Sequence, residues 1–196
     1  MNPQPPSLAA DTIPVHPTID LSILHASRQV FIDHKHSTTG QSYDKVVVGA
    51  AIFRHEADGT HTNTPKLLLL KRADHETYFP GVFEIPGGKV DADDPSIKHA
   101  VIREVLEETG LSVTGFLAEV APMLYTTEKK VGGEVIAKRA IQLNYVVACS
   151  EGEVKLSSGE HSGAVWVIEV GLDGLNVTDE MREVAGEAFA SREGIV

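Results

Sequence analysis

Residues 87–111 read GGKVDADDPSIKHAVIREVLEETGL, and this stretch carries the densest pattern of charge and turn residues in the chain. It opens with two glycines, continues through a short acidic loop and ends in a segment with helical character. Four charged residues fall within six positions of that segment: Arg103, Glu104, Glu107 and Glu108. Such crowding of negative charge needs a physical reason, because like charges one helical turn apart destabilise a helix.

The boundaries of this helix are marked by sequence signals. Asp94 is followed by Pro95, and a capping carboxylate before a first-turn proline predicts a helix that begins at Asp94. Gly110 supplies the C-terminal stop. Between these ends, the spacing of apolar residues predicts one buried face, made of Val101, Ile102, Val105 and Leu106.

The three glutamates are predicted to share one side of the helix. Positions 104, 107 and 108 are related as i, i+3 and i+4, so their side chains lie within an arc of about 100° that borders the apolar face. At the rim of a core, carboxylates repel each other more strongly than in bulk water unless a cation lies among them. Two interpretations remain: a solvated acidic surface, or a site for a hard divalent cation such as Mg²⁺, which prefers oxygen ligands.

The glycine pair favours the metal-site interpretation. Without side chains at Gly87 and Gly88, backbone carbonyls can approach a metal ion or a phosphate closely. The glycines lead into a carboxylate-bearing helix and not into the lysine of a phosphate-binding loop, which favours phosphate binding through a metal.

These residues resemble the Nudix box, in which glycine, five residues, glutamate and seven residues precede Arg-Glu-apolar-any-Glu-Glu-any-Gly-apolar. The second half of the box is matched at every specified position, as Arg103, Glu104, Val105, Glu107, Glu108, Gly110 and Leu111. The flank YFPGVFEIPGGKV (78–90) and the segment GEHSGAVWV (159–167) are also similar to the family. The resemblance covers about residues 45–190. It implies an α+β, or α/β/α sandwich, fold with a mixed β-sheet flanked by helices.

The first half of the box departs from the family pattern. Five residues on from Gly88, the chain has Asp94 in place of glutamate, and eight residues instead of seven separate Asp94 from Arg103. In the family the first glutamate usually holds the arginine. We therefore expect Asp94 or Asp93 to hold Arg103, unless Asp94 serves only as the helix cap.

The resemblance implies a hydrolase that cleaves the diphosphate linkage of a nucleoside diphosphate linked to another moiety, or of a related organic diphosphate. The attacking group would be a water activated by Mg²⁺ or Mn²⁺. Glu104, Glu107, Glu108 and the carbonyl of Gly87 would hold the metal, Arg103 would orient a glutamate, and Glu108 or Glu104 would handle the water proton. The alternative is an inactive binding or regulatory module, or a non-hydrolytic enzyme, on the same scaffold.

The general base outside the box varies across the family. Glu160 is the first candidate here, and Glu153, Glu151 and Glu134 are the alternatives. Each of the four could equally be a solvated loop carboxylate.

The substrate cleft is expected to include Arg72, Glu84, Phe83 and Gly88. Arg72 could instead be a strand-end cation, and Phe83 could be a core residue, at a position where the family commonly has tryptophan. His161 is predicted to be a structural hydrogen-bond partner, because hard Mg²⁺ disfavours imidazole.

The chain as a whole predicts one domain with an N-terminal extension, as suits 196 residues. Residues 1–17 are predicted to be a flexible proline-rich tail, residues 18–40 an extension packed on the domain, and residues 41–196 the Nudix-like domain. Strands are predicted at 45–53, 66–72, 115–125, 137–149 and 163–170, with loops over 54–65 and 126–136 and a final helix capped by Thr178.

Composition restricts the possible partners. A formal net charge of -11 argues against non-specific nucleic-acid or membrane binding. The family resemblance implies a small-molecule diphosphate as the partner. The single cysteine, Cys149, excludes an internal disulfide and favours a cytoplasmic location. The sequence leaves open the substrate itself, and whether the protein is a monomer or a homodimer.

Overall fold

The computed structural model describes residues 7–57, 63–132, 134–156 and 159–193. The helices are α1 (Ser7–Thr12), α2 (Leu21–Leu24), α3 (Arg28–Thr39), α4 (Ile97–Thr109) and α5 (Asp179–Glu193). The strands are β1 (Lys45–Ala57), β2 (Asn63–Arg72), β3 (Phe83–Glu84), β4 (Gly87–Lys89), β5 (Val113–Val131), β6 (Glu134–Cys149) and β7 (His161–Val167). No helix in these ranges is long and apolar enough to cross a membrane.

The strands form one mixed sheet in the order β3-β2-β1-β6-β5, with β4 paired to β1 and β7 paired to β2. The pairing of β1 with β6 is parallel, and the other pairings are antiparallel. The first part of β1 pairs with β4 and β6, while its last residues pair with β2. Strand β1 therefore joins the segment that leads into α4 to the rest of the sheet.

The core has two parts, one on each face of the sheet. Neighbouring residues of a strand point to opposite faces, so Leu68 and Leu70 belong to the part that contains α4, while Leu67 and Leu69 belong to the part that contains α5. The second part includes the predicted stripe of α5, made of Met181, Val184, Ala185 and Ala188. This arrangement of a mixed sheet between helices is the predicted α/β/α sandwich.

The N-terminal segment differs from the predicted flexible tail. Residues 7–12 form α1, and the chain beyond it forms hydrogen bonds in both directions between Phe116 and residues 14 and 16. Lys98 of α4 also donates to the Ile13 carbonyl at 2.9 Å. The correction applies to residues 7–17, and residues 1–6 lie outside the described ranges. Further along, Leu24 and Phe31 of the extension are buried in the core.

The start of α4 was predicted wrongly. Ser96, not Asp94, is the N-cap, with extended backbone and a side chain that accepts from His99 N. The carboxylate of Asp94 instead accepts from the Asp91 amide and from Arg103, so it is not available to cap the helix. The helix ends at Gly110 as predicted, where the glycine adopts φ 70°.

The loop predicted over residues 126–136 is largely strand. Strands β5 and β6 continue their pairing to Val131 and Glu134, so the connection is shorter than predicted. The cluster of lysine, glutamate and glycine in this segment suggested a loop, but pairing with the neighbouring strand overrides that local preference. The centre of the other predicted loop, residues 58–62, lies outside the described ranges.

Candidate active site

Two of the three glutamates of α4 lie on its buried side. Glu104 and Glu108 are 8% and 4% exposed, while the side chain of Glu107 is 59% exposed. The buried face of α4 is rotated relative to the prediction: it includes Val101 and Val105 as expected, but Leu106 is exposed. The carboxylates of Glu104 and Glu108 therefore lie within the packed face of the helix, and not merely at its border.

Arg103 is held by a set of acceptors that satisfies its whole guanidinium group. Its Nε and Nη2 form a two-pronged contact with Asp94 at 3.0 and 2.8 Å. Nη1 donates to Glu104 at 2.8 Å and to Glu107 at 3.1 Å, and Nη2 also donates to the Lys89 carbonyl at 3.0 Å. The hydrogen bonds to Asp94 contribute most to raising the pKa of Arg103. Asp94 thus holds the arginine despite the altered first half of the box.

The glycine pair makes room for the buried carboxylates. A Cβ at Gly88 would lie 2.5 Å from the carboxyl carbon of Glu104, so this position accommodates only glycine without moving the glutamate. A Cβ at Gly87 would lie 2.1 Å from the Val48 carbonyl oxygen, because β4 packs tightly against β1. Gly87 N also donates to Glu108 Oε2 at 2.8 Å. The two glycines therefore help to position Glu104 and Glu108. Gly88 was predicted to lie in the substrate cleft, but it is not among the residues that line the neighbouring cavity.

Burial and mutual repulsion make ionisation of these glutamates unfavourable. The pKa of Glu108 is raised to about 9, chiefly by burial; the Gly87 hydrogen bond opposes the rise, and the charges of Glu104, Glu84 and Glu160 add to it. Burial also raises the pKa of Glu104, against the effect of Arg103. A buried acid cluster of this kind gains stability from a bound cation.

The donor chemistry of this cluster fits a hard divalent metal ion. Two buried carboxylates and one exposed carboxylate lie on one helix beside a backbone that bears no side chains. In the described part of the chain, no three acidic, histidine or cysteine side chains converge as a preformed cage. Mg²⁺ does not require one, because it keeps several waters and binds through one or two carboxylates plus substrate phosphates.

His161 connects the glutamate cluster to a cavity. Its ring lies between Glu108 and Glu84, with Nδ1 3.7 Å from Glu108 Oε1 and Nε2 3.5 Å from Glu84 Oε1. The side chain is only 1% exposed, and neither ring nitrogen has a hydrogen-bond partner among the described residues. His161 is therefore buried as expected for a structural residue, but the predicted hydrogen bonds are absent from this part of the structure.

A cavity of about 300 Å³ lies next to Glu84 on the α5 side of the sheet. Arg72, Phe83 and Glu84, which the sequence predicted for the cleft, all line it. Arg72 donates to Glu84 at 2.6 Å and to Glu76 at 2.9 Å. The lining also contains residues that sequence patterns did not single out, among them Lys45, Tyr125, Thr127 and Gln142. No motif marks them, since they lie on separate elements.

The candidate bases differ in their relation to the cluster. Glu160 is exposed, and its charge contributes to raising the pKa of both Glu104 and Glu108. Glu151 and Glu153 lie shortly before Lys155 in the chain. The Lys155 amide donates to the Thr109 carbonyl at the C-terminal end of α4. Glu134 begins β6 and is exposed.

Comparison with known proteins identifies the family. The family model described as NUDIX domain matches residues 45–183. The uncharacterised Nudix hydrolase NudL of Yersinia pestis (strain Pestoides F) is 43% identical over 61 residues, an alignment that covers 30% of this chain and 31% of NudL. The chain thus matches about a third of the length of such curated relatives.

Solved structures show the same fold. The MutT protein of Methanosarcina mazei Go1 has a TM-score of 0.55 and 25% identity, over 76% of this chain and 95% of that protein. The NUDIX domain of Shewanella oneidensis NrtR, crystallised with ADP ribose, has a TM-score of 0.57 and 17% identity, over 84% and 98% of the two chains. The predicted mixed α+β fold and the predicted family resemblance are both confirmed. Since the family model matches well over half of its residues, this chain belongs to the NUDIX-domain family.

Proposed function

We propose that this protein is a metal-dependent hydrolase that cleaves the diphosphate linkage of a nucleoside diphosphate linked to another moiety, or of a related organic diphosphate. One observation carries the proposal: two buried carboxylates, Glu104 and Glu108, lie on one helix, and His161 links Glu108 to Glu84, which lines the cavity together with Arg72. A binding module has no evident need for such a costly buried acid pair.

Glu104, Glu107 and Glu108 would hold Mg²⁺ or Mn²⁺, with the carbonyl of Gly87 as a further ligand. When bound, such an ion neutralises diphosphate charge and lowers the pKa of a coordinated water. Arg103, fixed by Asp94, orients the Glu104 carboxylate through its 2.8 Å hydrogen bond.

Glu160 is the favoured general base among the four candidates. Its charge acts on Glu104, Glu108 and Arg72, so it lies close to both the acid cluster and the cavity. A carboxylate that is exposed to solvent beside the acid cluster can reach a water molecule there and accept its proton. Removal of its charge should therefore lower turnover more than binding.

The substrate enters through the cavity. Arg72 is already paired with Glu84 and Glu76, so we assign it the role of holding Glu84 at the cavity wall. The partner is a small molecule, and a monomer or homodimer in the cytoplasm remains the prediction from the sequence.

The test is a hydrolysis assay with a panel of organic diphosphates and 5 to 10 mM Mg²⁺, concentrations of the order used to saturate weak Mg²⁺ sites. We expect release of a monophosphate that stops with EDTA and falls at least about 100-fold in Glu107→Gln. Glu128→Gln, an exposed glutamate of β5, is the matched control and should retain activity. Tight binding of a diphosphate without turnover would instead support the binding-module alternative, and a product with an intact diphosphate would support a non-hydrolytic enzyme.

A further inference from the structure

Among the residues that the structure describes, two basic side chains line the cavity, and their surroundings differ. Arg72 is neutralised, because it contacts the carboxylates of Glu84 and Glu76 and the carbonyl of Tyr78. Lys45 is the other basic side chain of the lining. Its Nζ contacts the Thr127 hydroxyl at 3.2 Å, and no carboxylate of the described residues pairs with it.

The position of Lys45 follows from strand geometry. It is the first residue of β1, and Val46 and Val48 point into the α4 side of the core. Alternation along the strand then directs Lys45 to the opposite face, where the cavity lies. The ring of Tyr78 lies under its ammonium, 5.3 Å from Nζ to the ring centre. This contact and the Thr127 hydroxyl hold the cation in place without cancelling its charge.

Lys45 lies further along the cavity than the residues next to the acid cluster. Glu84, which lies next to His161 beside the cluster, accepts a hydrogen bond from Arg72, and Arg72 also donates to the Tyr78 carbonyl. Lys45 contacts the ring of Tyr78 and the hydroxyl of Thr127. The contacts therefore run from Glu84 through Arg72 and Tyr78 to the Lys45 ammonium, and we place the moiety attached to a diphosphate at the Lys45 end.

Aromatic side chains form part of the walls between the Glu84 and Lys45 ends of the cavity. Tyr78, Phe79, Phe83 and Tyr125 line the cavity, together with the polar side chains of Thr126, Thr127 and Gln142. Such a lining suits a planar or ring-shaped group with a few polar substituents. A cation that lacks a carboxylate partner at the far end suits a negatively charged substituent on that group.

We propose that Lys45 determines specificity by binding an anionic substituent, a phosphate or a carboxylate, on the moiety attached to the diphosphate. This inference rests on the proposed function, because it assigns the substrate class of the same site. The structural alternative is that Lys45 only covers the Tyr78 ring with its alkyl stem. Lys45→Met keeps most of that stem and removes the charge, so it separates the two roles.

The experiment compares diphosphates that differ in one charged group. NADP⁺ with NAD⁺ tests a phosphate, and UDP-glucuronic acid with UDP-glucose tests a carboxylate. For each pair, the ratio of kcat/KM for the more anionic compound to that of its partner is measured in the wild type, Lys45→Met and Lys45→Arg. Lys155→Met, an exposed lysine beyond the C-terminal end of α4, controls for the change in net charge.

We expect the wild type to prefer the anionic member of at least one pair, and that ratio to fall at least tenfold in Lys45→Met. Lys45→Arg should restore most of the preference, and Lys155→Met should retain it. The pair that responds identifies phosphate or carboxylate as the recognised group. Equal ratios in the wild type and Lys45→Met, or an equal loss on both members of each pair, overturn the inference.

Binding constants for the same four compounds, measured by calorimetry, separate this inference from the proposed function. If no compound is hydrolysed but Lys45→Met weakens binding of an anionic member selectively, the hydrolase proposal fails and the role of Lys45 stands. If the compounds are hydrolysed with no anion-dependent effect of Lys45, the hydrolase proposal stands and this inference fails.

Discussion

At the scale of single residues, Asp94 explains how the chain tolerates an altered Nudix box. The loop before α4 is one residue longer than in the family pattern, and its acid is one carbon shorter. The two changes compensate, because the longer loop brings the Asp94 carboxylate to 2.8 and 3.0 Å from the Arg103 guanidinium. The Asp91 amide, which donates to the same carboxylate, fixes its orientation.

Asp94→Asn should weaken this support, whereas Asp93→Asn should not. Asp94 is 8% exposed and carries the charge that balances Arg103, while Asp93 is exposed. Loss of the charged partner should lower the free energy of unfolding by about 2 kcal/mol and reduce kcat, because Arg103 also orients Glu104. Urea denaturation and the hydrolysis assay measure the two effects. Equal results for the two variants would contradict the assignment of Asp94.

Gly88→Ala tests whether the missing side chain at Gly88 makes room for Glu104. The added Cβ would lie 2.5 Å from the glutamate carboxyl group, so the carboxylate must move. We expect kcat to fall at least about tenfold, because displacement of Glu104, a proposed metal ligand, by about 1 Å is enough to disrupt catalysis. Gly186→Ala on α5 is the matched control, since a Cβ there meets nothing within 4 Å. A fully active Gly88→Ala enzyme with an intact melting profile would refute this prediction.

At the scale of elements, local signals predicted α4 and α5 well, because both are marked by periodicity and end residues. The Gly110 stop and the Thr178 cap were predicted and are present. The N-terminus of α4 was misplaced because two acceptable caps lie two residues apart, and only tertiary contact with Arg103 selects between them. The exposure of Leu106 likewise depends on packing that one helix cannot reveal.

The N-terminal segment was predicted poorly from its local sequence. Its prolines suggested a flexible tail, but the segment is held by contacts with residues far away in the chain. His16 N and Phe116 O are 2.9 Å apart, as are Lys98 Nζ and the Ile13 carbonyl. Such partners are about 100 and 85 positions away along the chain, respectively. No pattern within the segment encodes them.

Deletion of residues 1–17 should therefore destabilise the protein. It removes the backbone partner of Phe116, which is 1% exposed, and the acceptor of the buried Lys98 ammonium. We expect a loss of at least about 2 kcal/mol in the free energy of unfolding, from exposed apolar surface and an unpaired buried cation. Deletion of residues 1–6 alone is the control. A flexible tail would predict no difference between the two deletions in urea denaturation.

At the scale of the whole molecule, the sheet brings together residues that the sequence separates. The cavity takes Lys45 from β1, Arg72 from β2, Tyr125 from β5 and Met181 from α5. The box predicted the acid cluster because its members share one helix, and the flanking motif predicted Phe83 and Glu84. Lys45 and Tyr125 were not predicted to line the cavity, because they become neighbours only through the pairing of β1 with β6 and of β6 with β5.

The acid cluster also makes the stability of the whole protein depend on pH when metal is absent. The pKa of Glu108 is about 9 in the folded protein, whereas the ordinary pKa of a glutamate side chain is 4.5. Between these values the folded protein keeps a proton on Glu108 that the unfolded chain has released. The native state then binds more protons than the unfolded state, so stability falls as pH rises across this window.

Glu108→Gln should remove this dependence, because glutamine resembles the protonated acid and does not titrate. In EDTA, the variant should gain about 1 to 3 kcal/mol in the free energy of unfolding relative to the wild type between pH 5.5 and pH 8.5. Urea denaturation at both pH values measures the gain, and Glu128→Gln, whose side chain is exposed, controls for the loss of one negative charge. If the free energy of unfolding changed equally with pH in the wild type and in Glu108→Gln, burial would not hold Glu108 protonated. The electrostatic argument for a cation among these carboxylates would then fail.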